Sequence, residues 1–307
     1  MKLYQAVYTQ LEPEDIVSLE SFEIASALKF ETNDKGVPFG IVDNDDCQAK
    51  FSLLGGHVCD YTPRGSEPLL FVSDSSNYAL GKAIRGGIPV CFPWFGPAKD
   101  ADGQTDETKP AHGIVRTQLW ELLATNHTNA GTEVSLAFQH ADFRVTNTVR
   151  FGNTLNLDFT IENLQDSEQR FELALHTYFS VGDATQIEIR GLEHTPFLDQ
   201  LTGETHQGSG LPIRFSEETD RIYQGVVEAV KLHDPTKNRS TSVRSSGSGS
   251  TVIWNPWIAK SKRMADFGDT EYPRMVCIET ANIGENSINL TAGESHTTEV
   301  SISTCEL

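Results

Sequence analysis

The sequence predicts an all-β fold, specifically a large antiparallel β-sandwich. Apolar and polar residues alternate strictly through residues 155–162, which is typical of a strand with one buried face. Short strands of this kind, separated by turn residues, favour an antiparallel sandwich. No alternation of strands with helices appears, which argues against a doubly wound parallel sheet. The same period of two recurs at Val134, Leu136 and Phe138, at Ile187 and Ile189, and at Val300 and Ile302.

Three further segments define the organisation of the chain. Helical periodicity is weak, and the one candidate helix lies within residues 14–28. Residues 98–109 are acidic and polar and predict an exposed loop beside a binding cleft. The serine- and glycine-rich residues 245–250 predict a hairpin tip rather than an interdomain linker. With no evident boundary or internal repeat, we expect one domain over residues 1–307.

The composition excludes several classes of partner. The chain has 307 residues and a net charge of −19, from 43 acidic and 24 basic residues. Nucleic acids and anionic membranes bind mainly through basic side chains, so neither is an expected partner. We expect a monomer, because no interface stripe is evident.

The five cysteines are odd in number and form no C-x-x-C, which argues against a disulfide framework or a cysteine zinc site. Free thiols, and the lack of a secretory signal, predict a cytoplasmic location.

The most informative run is residues 85–96, in which Arg85 precedes a pair of glycines and a stretch rich in aromatic residues and proline. Adjacent glycines allow positive φ or a close approach of the backbone, and each proline fixes its own φ. A rigid backbone beside one guanidinium and several rings is suited to hold a polar ring such as a sugar. The alternative is a buried strand that follows an Arg-Gly turn.

Two single residues are candidates for acid–base chemistry. His176 lies among apolar and aromatic residues, where burial tunes the pKa of an imidazole. Its alternative is a core histidine with one hydrogen bond. Glu279 shares one face of a predicted strand with Met275 and Cys277, and a carboxylate there is costly unless it is paired or functional. Its alternative is a glutamate at a strand end that faces water.

Two further motifs contribute polar and aromatic groups. His112 and Arg116 are four residues apart, so on an extended strand both would point into one cleft. Their alternative is a solvated histidine and an arginine paired with an acidic neighbour. Residues 252–257 place two indoles and an amide around a proline, which suits sugar recognition or, alternatively, core packing. Motifs for nucleotide binding, zincins and α/β-hydrolases do not occur.

Taken in order, these segments resemble the aldose 1-epimerase (galactose mutarotase-like) superfamily, and within it the hexose-6-phosphate mutarotases, also called glucose-6-phosphate 1-epimerases. The matching stretches are residues 85–96, 112–116, 176–183, 252–257, 264–268 and 275–282. Each stretch is modest evidence, whereas six in family order are specific. The resemblance implies a large antiparallel β-sandwich with a substrate groove on its concave face.

The resemblance also implies roles for individual residues. His176 matches the general acid that protonates the ring oxygen, and Glu279 matches the base that removes the proton from the anomeric hydroxyl. Arg85, His112 and Arg116 match positions of the substrate groove, where at least one arginine would bind phosphate. The implied partner is a sugar phosphate, and the implied chemistry uses no cofactor and no metal.

One departure from the family pattern concerns the phosphate. Asp199 and Gln200 stand where phosphosugar members commonly have Asp-Lys, so Asp199 would hold a sugar hydroxyl and Gln200 replaces a cation. A cation such as Arg64 or Lys82 would have to compensate. Two alternatives therefore stay open: an aldose 1-epimerase that acts on unphosphorylated sugars, and a non-catalytic carbohydrate-binding protein.

Overall fold

The computed structural model describes residues 18–100 and 102–307, and almost all of its regular structure is β-strand. The strands, in chain order, are β1 (Leu28–Thr32), β2 (Pro38–Asp43), β3 (Cys47–Ser52), β4 (His57–Pro63), β5 (Val90–Cys91), β6 (Glu121–Thr128), β7 (Gly131–Gln139), β8 (Phe143–Phe151), β9 (Leu155–Asn163), β10 (Gln169–Phe171), β11 (Leu173–Leu175), β12 (Tyr178–Ser180), β13 (Glu188–Arg190), β14 (Phe197–Asp199), β15 (Glu204–His206), β16 (Thr219–Gln224), β17 (Val230–Asp234), β18 (Arg239–Ser246), β19 (Ser250–Asn255), β20 (Met275–Asn282), β21 (Ile288–Leu290) and β22 (Ser295–Glu306).

Helical structure is limited to short pieces in the described part of the chain. One α-helix, α1, spans Trp257–Ser261. Within the described residues, no helix has the length and apolar character that a membrane crossing requires. The 3₁₀ turns are Leu19–Phe22, Val115–Thr117, Pro235–Lys237, Tyr272–Arg274 and Gly284–Asn286.

The strands form two large sheets and two small ones. Sheet I has the order β15-β14-β16-β19-β20-β11-β5, and β12 also pairs with β20. Sheet II has the order β13-β17-β18-β22-β9-β8-β7-β6. Strands β1–β4 form sheet III, and β10 pairs with β21. The strand pairs within these sheets are antiparallel, for example β8 with β9 and β19 with β20, as the alternating sequence pattern predicts.

A single core joins the two large sheets face to face. On sheet II, every second residue of β8 and β9 is buried, and Val145 and Phe159 belong to this core. On sheet I, Ile253 of β19 and Ile278 of β20 belong to the same cluster. Two sheets that bury one face each against the other form a β-sandwich. The predicted fold class is therefore confirmed.

The four strand predictions correspond to observed strands. Residues 155–162 lie in β9, and the alternating residues Val134 to Phe138 lie in β7. Val300 and Ile302 lie in β22, whereas Ile187 precedes β13 by one residue. Residues 98–100 and 102–109 contain no named strand and are mostly exposed, which agrees with the predicted loop. Period-two patterning is reliable here because one face of each strand is buried.

Two local predictions need correction. Residues 245–250 are not a hairpin tip, because β18 belongs to sheet II and β19 to sheet I, so this segment carries the chain from one sheet to the other. Of the candidate helix at residues 14–28, positions 14–17 lie outside the described residues. The remainder forms only the 3₁₀ turn Leu19–Phe22 before β1 begins at Leu28.

His57, at the start of β4, is a core histidine that couples folding to pH. Its Nε2 lies 2.8 Å from the carbonyl oxygen of Gly86, so the neutral ring donates there. Burial lowers the pKa of His57 to about 3, although the Gly86 hydrogen bond raises it in part. Because the folded pKa lies below the ordinary value near 6.5, the stabilisation is present above pH 6.5 and is lost as the pH falls toward 3.

We expect the variant His57→Gln to reduce the acid sensitivity of the fold. Glutamine keeps a donor for the Gly86 carbonyl but does not titrate. Below pH 6.5 the free energy of unfolding should fall less steeply in the variant, by up to about 1.4 kcal/mol per pH unit. Urea unfolding at a series of pH values measures both slopes. The other buried histidines are unchanged in the variant, so identical slopes would contradict the role of His57.

Candidate active site

The glycine pair of the Arg85 segment fixes the course of the backbone through close packing. Gly86 and Gly87 have φ of 118° and 64°. A Cβ at Gly86 would lie 2.3 Å from Val72 Cα, and one at Gly87 would lie 2.2 Å from the Val58 carbonyl oxygen. The glycines are therefore required by the neighbouring backbone. The chain continues from these glycines into β5, and Arg85, which precedes them, lies beside Tyr178 of β12.

Glu279 lies near the middle of β20, which is paired on both sides. Its neighbours are β19 on one side and β11 and β12 on the other. Alternation along the strand puts Glu279 on the same face as Met275 and Cys277, opposite the core residue Ile278. This face of sheet I points away from sheet II. The predicted grouping of Met275, Cys277 and Glu279 on one face is what the strand shows.

His176 lies in the short link between β11 and β12, next to Glu279. Its backbone N–H donates to the Pro89 carbonyl at 2.9 Å, which fixes the link. The imidazole stacks on Tyr178 with ring centroids 4.7 Å apart and planes 9° apart, and it meets Trp254 edge-on. His176 Nδ1 and Glu279 Oε1 are 3.3 Å apart, and the two side chains are 9% and 1% exposed.

Neither member of this pair is satisfied by the protein. Within the described residues, His176 Nδ1 and Glu279 Oε2 are buried without a hydrogen-bond partner of good geometry. Burial lowers the pKa of His176 well below its ordinary value, and the charges of His112, Arg85 and Arg116 lower it further. Burial likewise raises the pKa of Glu279, and Asp220 adds to that shift. Burial therefore favours the neutral imidazole of His176 and the neutral carboxylic acid of Glu279.

Glu271 shows how this protein buries a glutamate that serves structure. Its carboxylate accepts hydrogen bonds from the Ser73 hydroxyl at 2.5 Å, from the backbone N–H groups of Asp74 and Gly268 at 2.9 and 2.8 Å, and from Arg274 Nη2 at 3.3 Å. These bonds lower the pKa of Glu271, although burial opposes them. Glu279 has no such set of donors. A buried carboxyl left without such donors is a candidate for a functional position.

Arg85 is held beside the pair by two contacts. Its Nη1 donates to the Tyr178 hydroxyl at 3.0 Å, and its Nη2 lies 3.1 Å from Asp266 Oδ2. Because Tyr178 also stacks on His176, Arg85, Tyr178 and the imidazole form one connected unit. The positive charge of Arg85 is largely balanced by Asp266.

His112 and Arg116 also reach this group, but not from a strand. His112 lies in a turn with φ of 62°, and Arg116 lies in the 3₁₀ turn Val115–Thr117, so the premise of an extended strand is wrong. The His112 ring is 6.0 Å from the His176 ring, and its Nδ1 accepts from the Gly96 N–H at 3.3 Å. Burial, with the charges of Arg116 and Arg85, lowers the pKa of His112 to about 3. Neutral His112 therefore keeps its proton on Nε2.

Arg116 differs from Arg85 in how its charge is balanced. Its Nη2 donates to the Ala111 carbonyl oxygen at 2.9 Å. Within the described residues, its side chain forms no ion pair with a carboxylate, and its Nε is buried without a partner. Its charge nevertheless lowers the pKa values of both His112 and His176. Arg116 thus places an unbalanced positive charge close to the pair.

Asp199 is the one predicted site residue that the structure does not bring to this group. It pairs in register with Arg221, which pairs with Ile253, so alternation puts Asp199 on the core-side face of sheet I. Asp199 Oδ2 lies 3.7 Å from Arg221 Nε, and Arg221 stacks over Phe197. Phe197 and Arg221 line a separate cavity of about 430 Å³ on that face. Glu279 faces the other way.

Gln200, one residue further on, belongs to the face of Glu279. Its side-chain amide donates to the Asp220 carboxylate, and Asp220 pairs in register with Trp254. Lys260 Nζ lies 3.4 Å from Asp220 Oδ2, 3.5 Å from Glu218 Oε1 and 5.6 Å from the centre of the Trp254 ring. Lys260, which shares the Asp220 carboxylate with Gln200, is therefore balanced by two carboxylates.

Sequence reasoning did not assign roles to three residues that complete the site. Tyr178 carried a usable signal, because it is two residues from His176 and two-residue spacing in extended chain shares a face. Asp266 lies in one of the six family-like stretches but carried no chemical cue of its own. Asp220 had no distinguishing neighbour among the 43 acidic residues of the chain. Asp220 lies near Glu279 because β16 pairs with β19, and a single sequence does not show which strands pair.

The geometry defines a candidate site: a buried histidine–glutamate pair on one face of an antiparallel β-sandwich, lined by aromatic rings and cations. Comparison with known families agrees, since the aldose 1-epimerase family model matches residues 41–303. The chain belongs to the aldose 1-epimerase family. It is an isomerase, and the alternative of a non-catalytic binding protein is set aside.

Individual relatives support the same assignment. A protein of Escherichia coli K12, provisionally named glucose-6-phosphate 1-epimerase, is 33% identical over 258 residues, which cover 80% of this chain and 83% of the relative. A Cenchrus ciliaris protein with the same provisional name is 32% identical over 270 residues, which cover 81% and 79%. The crystal structure of a provisionally assigned mutarotase from Salmonella typhimurium superimposes with a TM-score of 0.85 at 28% identity, covering 93% of this chain and 96% of the other.

The unpaired state of Glu279 should cost stability, and we expect Glu279→Met to raise the free energy of unfolding by about 1–3 kcal/mol, the penalty of an unsatisfied buried polar group. Glu271→Met is the matched control. It removes the acceptor of four hydrogen bonds, one of them from Arg274, and should lower the free energy of unfolding by more than about 2 kcal/mol. Urea unfolding of both variants at one pH measures the contrast. Destabilisation of similar size in both would contradict the description of Glu279.

Proposed function

We propose that this protein interconverts the α and β anomers of hexose 6-phosphates, with glucose 6-phosphate as the first substrate to test. The observation that carries the proposal is the buried pair, with His176 Nδ1 and Glu279 Oε1 3.3 Å apart. Each member also has a buried polar atom that the described protein leaves without a partner. Such atoms are suited to bind a polar substrate.

Anomer exchange needs an acid and a base side by side. Ring opening removes a proton from the hydroxyl on C1 and adds a proton to the ring oxygen, and both oxygens are bonded to C1. In the proposed mechanism Glu279 takes the first proton and His176 gives the second. The C1–O5 bond breaks and the aldehyde forms. After rotation about C1–C2, closure on the other face reverses both transfers, so no external donor is consumed.

The shifted pKa values suit these roles. Burial lowers the pKa of His176, so its protonated form is a stronger acid toward the ring oxygen than a solvated imidazolium. Burial raises the pKa of Glu279, so its carboxylate is a stronger base toward the hydroxyl than a solvated carboxylate. The step starts from imidazolium and carboxylate, which form from the neutral pair when the carboxyl proton of Glu279 passes to His176 Nδ1 across their 3.3 Å separation. One transfer of each kind to and from the sugar then returns imidazole and carboxylic acid, the uncharged pair that burial favours.

The groups around the pair support a phosphorylated sugar as substrate. C6 is attached to C5, which carries the ring oxygen, so a phosphate on C6 lies near the group that protonates that oxygen. Arg116 and Arg85 are the cations whose charges act on His176. We assign the larger part of phosphate binding to Arg116, because its charge has no carboxylate partner in the described residues. His112 would donate its Nε2 proton to a sugar hydroxyl.

Unphosphorylated aldoses are the second candidate, and one observation favours them. Gln200 supplies no charge, and Lys260 beside it is already balanced by Asp220 and Glu218. Neither Arg64 nor Lys82 is seen to compensate. Arg64 contacts Asp43 and the Asn44 carbonyl oxygen on sheet III, and the side chain of the exposed Lys82 forms no hydrogen bond or ion pair within the described chain. Phosphate affinity would then rest on the two arginines alone.

The variant Glu279→Gln tests the acid–base role. We expect it to slow the exchange of glucose 6-phosphate anomers at least about 100-fold, since the amide cannot accept the proton. NMR exchange spectroscopy on the equilibrated sugar, with and without protein, measures the rate above the spontaneous background. Glu217→Gln, at an exposed glutamate, is the control. A Glu279→Gln enzyme as fast as that control would refute the mechanism.

Replacement of Arg116 tests the choice of substrate. For Arg116→Gln, we expect kcat/KM to fall about 10- to 150-fold more on glucose 6-phosphate than on glucose, the loss of one charge-assisted contact. Lys260→Gln is the matched control, because it removes a cation that two carboxylates already balance, and its loss should be much less selective. Parallel measurements on the two sugars give both ratios. Equal losses on both sugars for Arg116→Gln would move the assignment to unphosphorylated aldoses.

A further inference from the structure

The catalytic pair has a third neighbour that the proposed mechanism does not use. Cys277 lies two residues before Glu279 on β20, so its side chain is on the same face of sheet I. It is fully buried and is a free thiol. The ligand atoms of His176, Cys277 and Glu279 all lie within 4.8 Å of one another. Thiolate, imidazole and carboxylate are the three side-chain ligands that zinc prefers.

We propose that His176, Cys277 and Glu279 form an inhibitory site for Zn²⁺ and similar transition-metal ions. Such an ion would occupy the acid and the base at once and so exclude the sugar. Binding of the metal depends only on the geometry of the three side chains, whereas inhibition rests on the proposed function.

The separation of the two catalytic atoms fits tetrahedral coordination. Zinc–nitrogen and zinc–oxygen bonds of about 2.0–2.2 Å at a tetrahedral angle place the two ligand atoms about 3.3–3.5 Å apart. His176 Nδ1 and Glu279 Oε1 are 3.3 Å apart. With a zinc–sulfur bond of about 2.3 Å, the sulfur should lie about 3.6 Å from each of them. The three ligand atoms lie within 4.8 Å of one another, so Cys277 Sγ needs to move by at most about 1.2 Å.

The hydrogen-bonding state of the site also favours a metal ion. His176 Nδ1 and Glu279 Oε2 are buried and lack partners within the described chain, so coordination would displace no hydrogen bond that the structure shows for them. Binding of Zn²⁺ would release the thiol proton of Cys277 and the carboxyl proton of Glu279 to solvent. One Zn²⁺ with one thiolate, one carboxylate and a neutral imidazole has no net charge. A neutral complex avoids most of the penalty of burying charge. Three protein ligands leave the fourth position for water.

The ligand set distinguishes among metal ions. Mg²⁺ and Ca²⁺ prefer oxygen ligands throughout and should not bind a site with a thiolate and an imidazole. Zn²⁺, Co²⁺ and Cd²⁺ accept nitrogen, oxygen and sulfur together. The inference therefore predicts inhibition by Zn²⁺, Co²⁺ and Cd²⁺ and none by Mg²⁺.

Titration with Co²⁺ tests binding separately from activity. The exposed Cys305 is a competing thiol, so every protein should carry Cys305→Ser. In that background we expect one Co²⁺ per chain with a thiolate-to-cobalt charge-transfer absorption in the near ultraviolet. Cys277→Ala should abolish the absorption, whereas Cys59→Ala, which removes a buried thiol elsewhere, should retain it. Absorption that persists in Cys277→Ala, or that never appears, would overturn the site.

Inhibition by Zn²⁺ is measured on the same proteins. For each variant the rate of anomer exchange is compared with its own rate in chelator. Loss of one of three ligands should raise the inhibitory Zn²⁺ concentration at least about tenfold in Cys277→Ala and leave it unchanged in Cys59→Ala. An enzyme active on sugar whose inhibition is the same in both would refute the inference alone. A protein that binds Co²⁺ through Cys277 but exchanges no anomers would refute the proposed function alone.

Discussion

The site depends on the burial of an acid and a base that the protein does not satisfy. His176 and Glu279 are almost inaccessible, 3.3 Å apart, and each retains a polar atom without a partner in the described chain. This arrangement is costly in free energy, because a buried polar group gains nothing to replace its lost hydration. The contrast with Glu271, which is equally buried and fully hydrogen-bonded, shows that the cost is specific to this position.

Sheet I supplies the rigidity that such a pair requires. β20 is paired with β19 on one side, where Glu279 lies opposite Val252, and with β12 and β11 on the other side, before and after Glu279. The backbone that carries Glu279 therefore cannot shift without breaking ladder hydrogen bonds. The imidazole is fixed by its stack on Tyr178, and Tyr178 is fixed by Arg85. The glycines after Arg85 pack against neighbouring backbone, so that segment is anchored as well. The strands and the packed side chains around them therefore hold the His176–Glu279 pair in place.

The fold was accessible from the sequence because burial of one strand face imposes a period of two, as in β9. The chemical residues His176 and Glu279 were accessible because a titratable group among apolar neighbours is unusual. The position of Asp199 could not be predicted from the sequence, because the face of sheet I on which it lies depends on the register of β14 with β16. The same holds for Asp220 and for the sheet change at residues 245–250, which are fixed by pairing between distant strands. A single sequence contains local patterns but not strand partners.

The charges around the pair resolve an apparent conflict with the composition. A chain with a net charge of −19 repels anions at long range, so an anionic substrate needs a local excess of positive charge. Of the three cations here, Lys260 is balanced by two carboxylates and Arg85 by one. Arg116 alone, among these three and within the described chain, contacts only a carbonyl oxygen. The excess is therefore concentrated at one guanidinium. A positive charge lowers the pKa of a neighbouring carboxyl and weakens it as a base. Burial and the charge of Asp220 act in the opposite direction and raise the pKa of Glu279, so the site can hold a cation for phosphate and still keep a strong base.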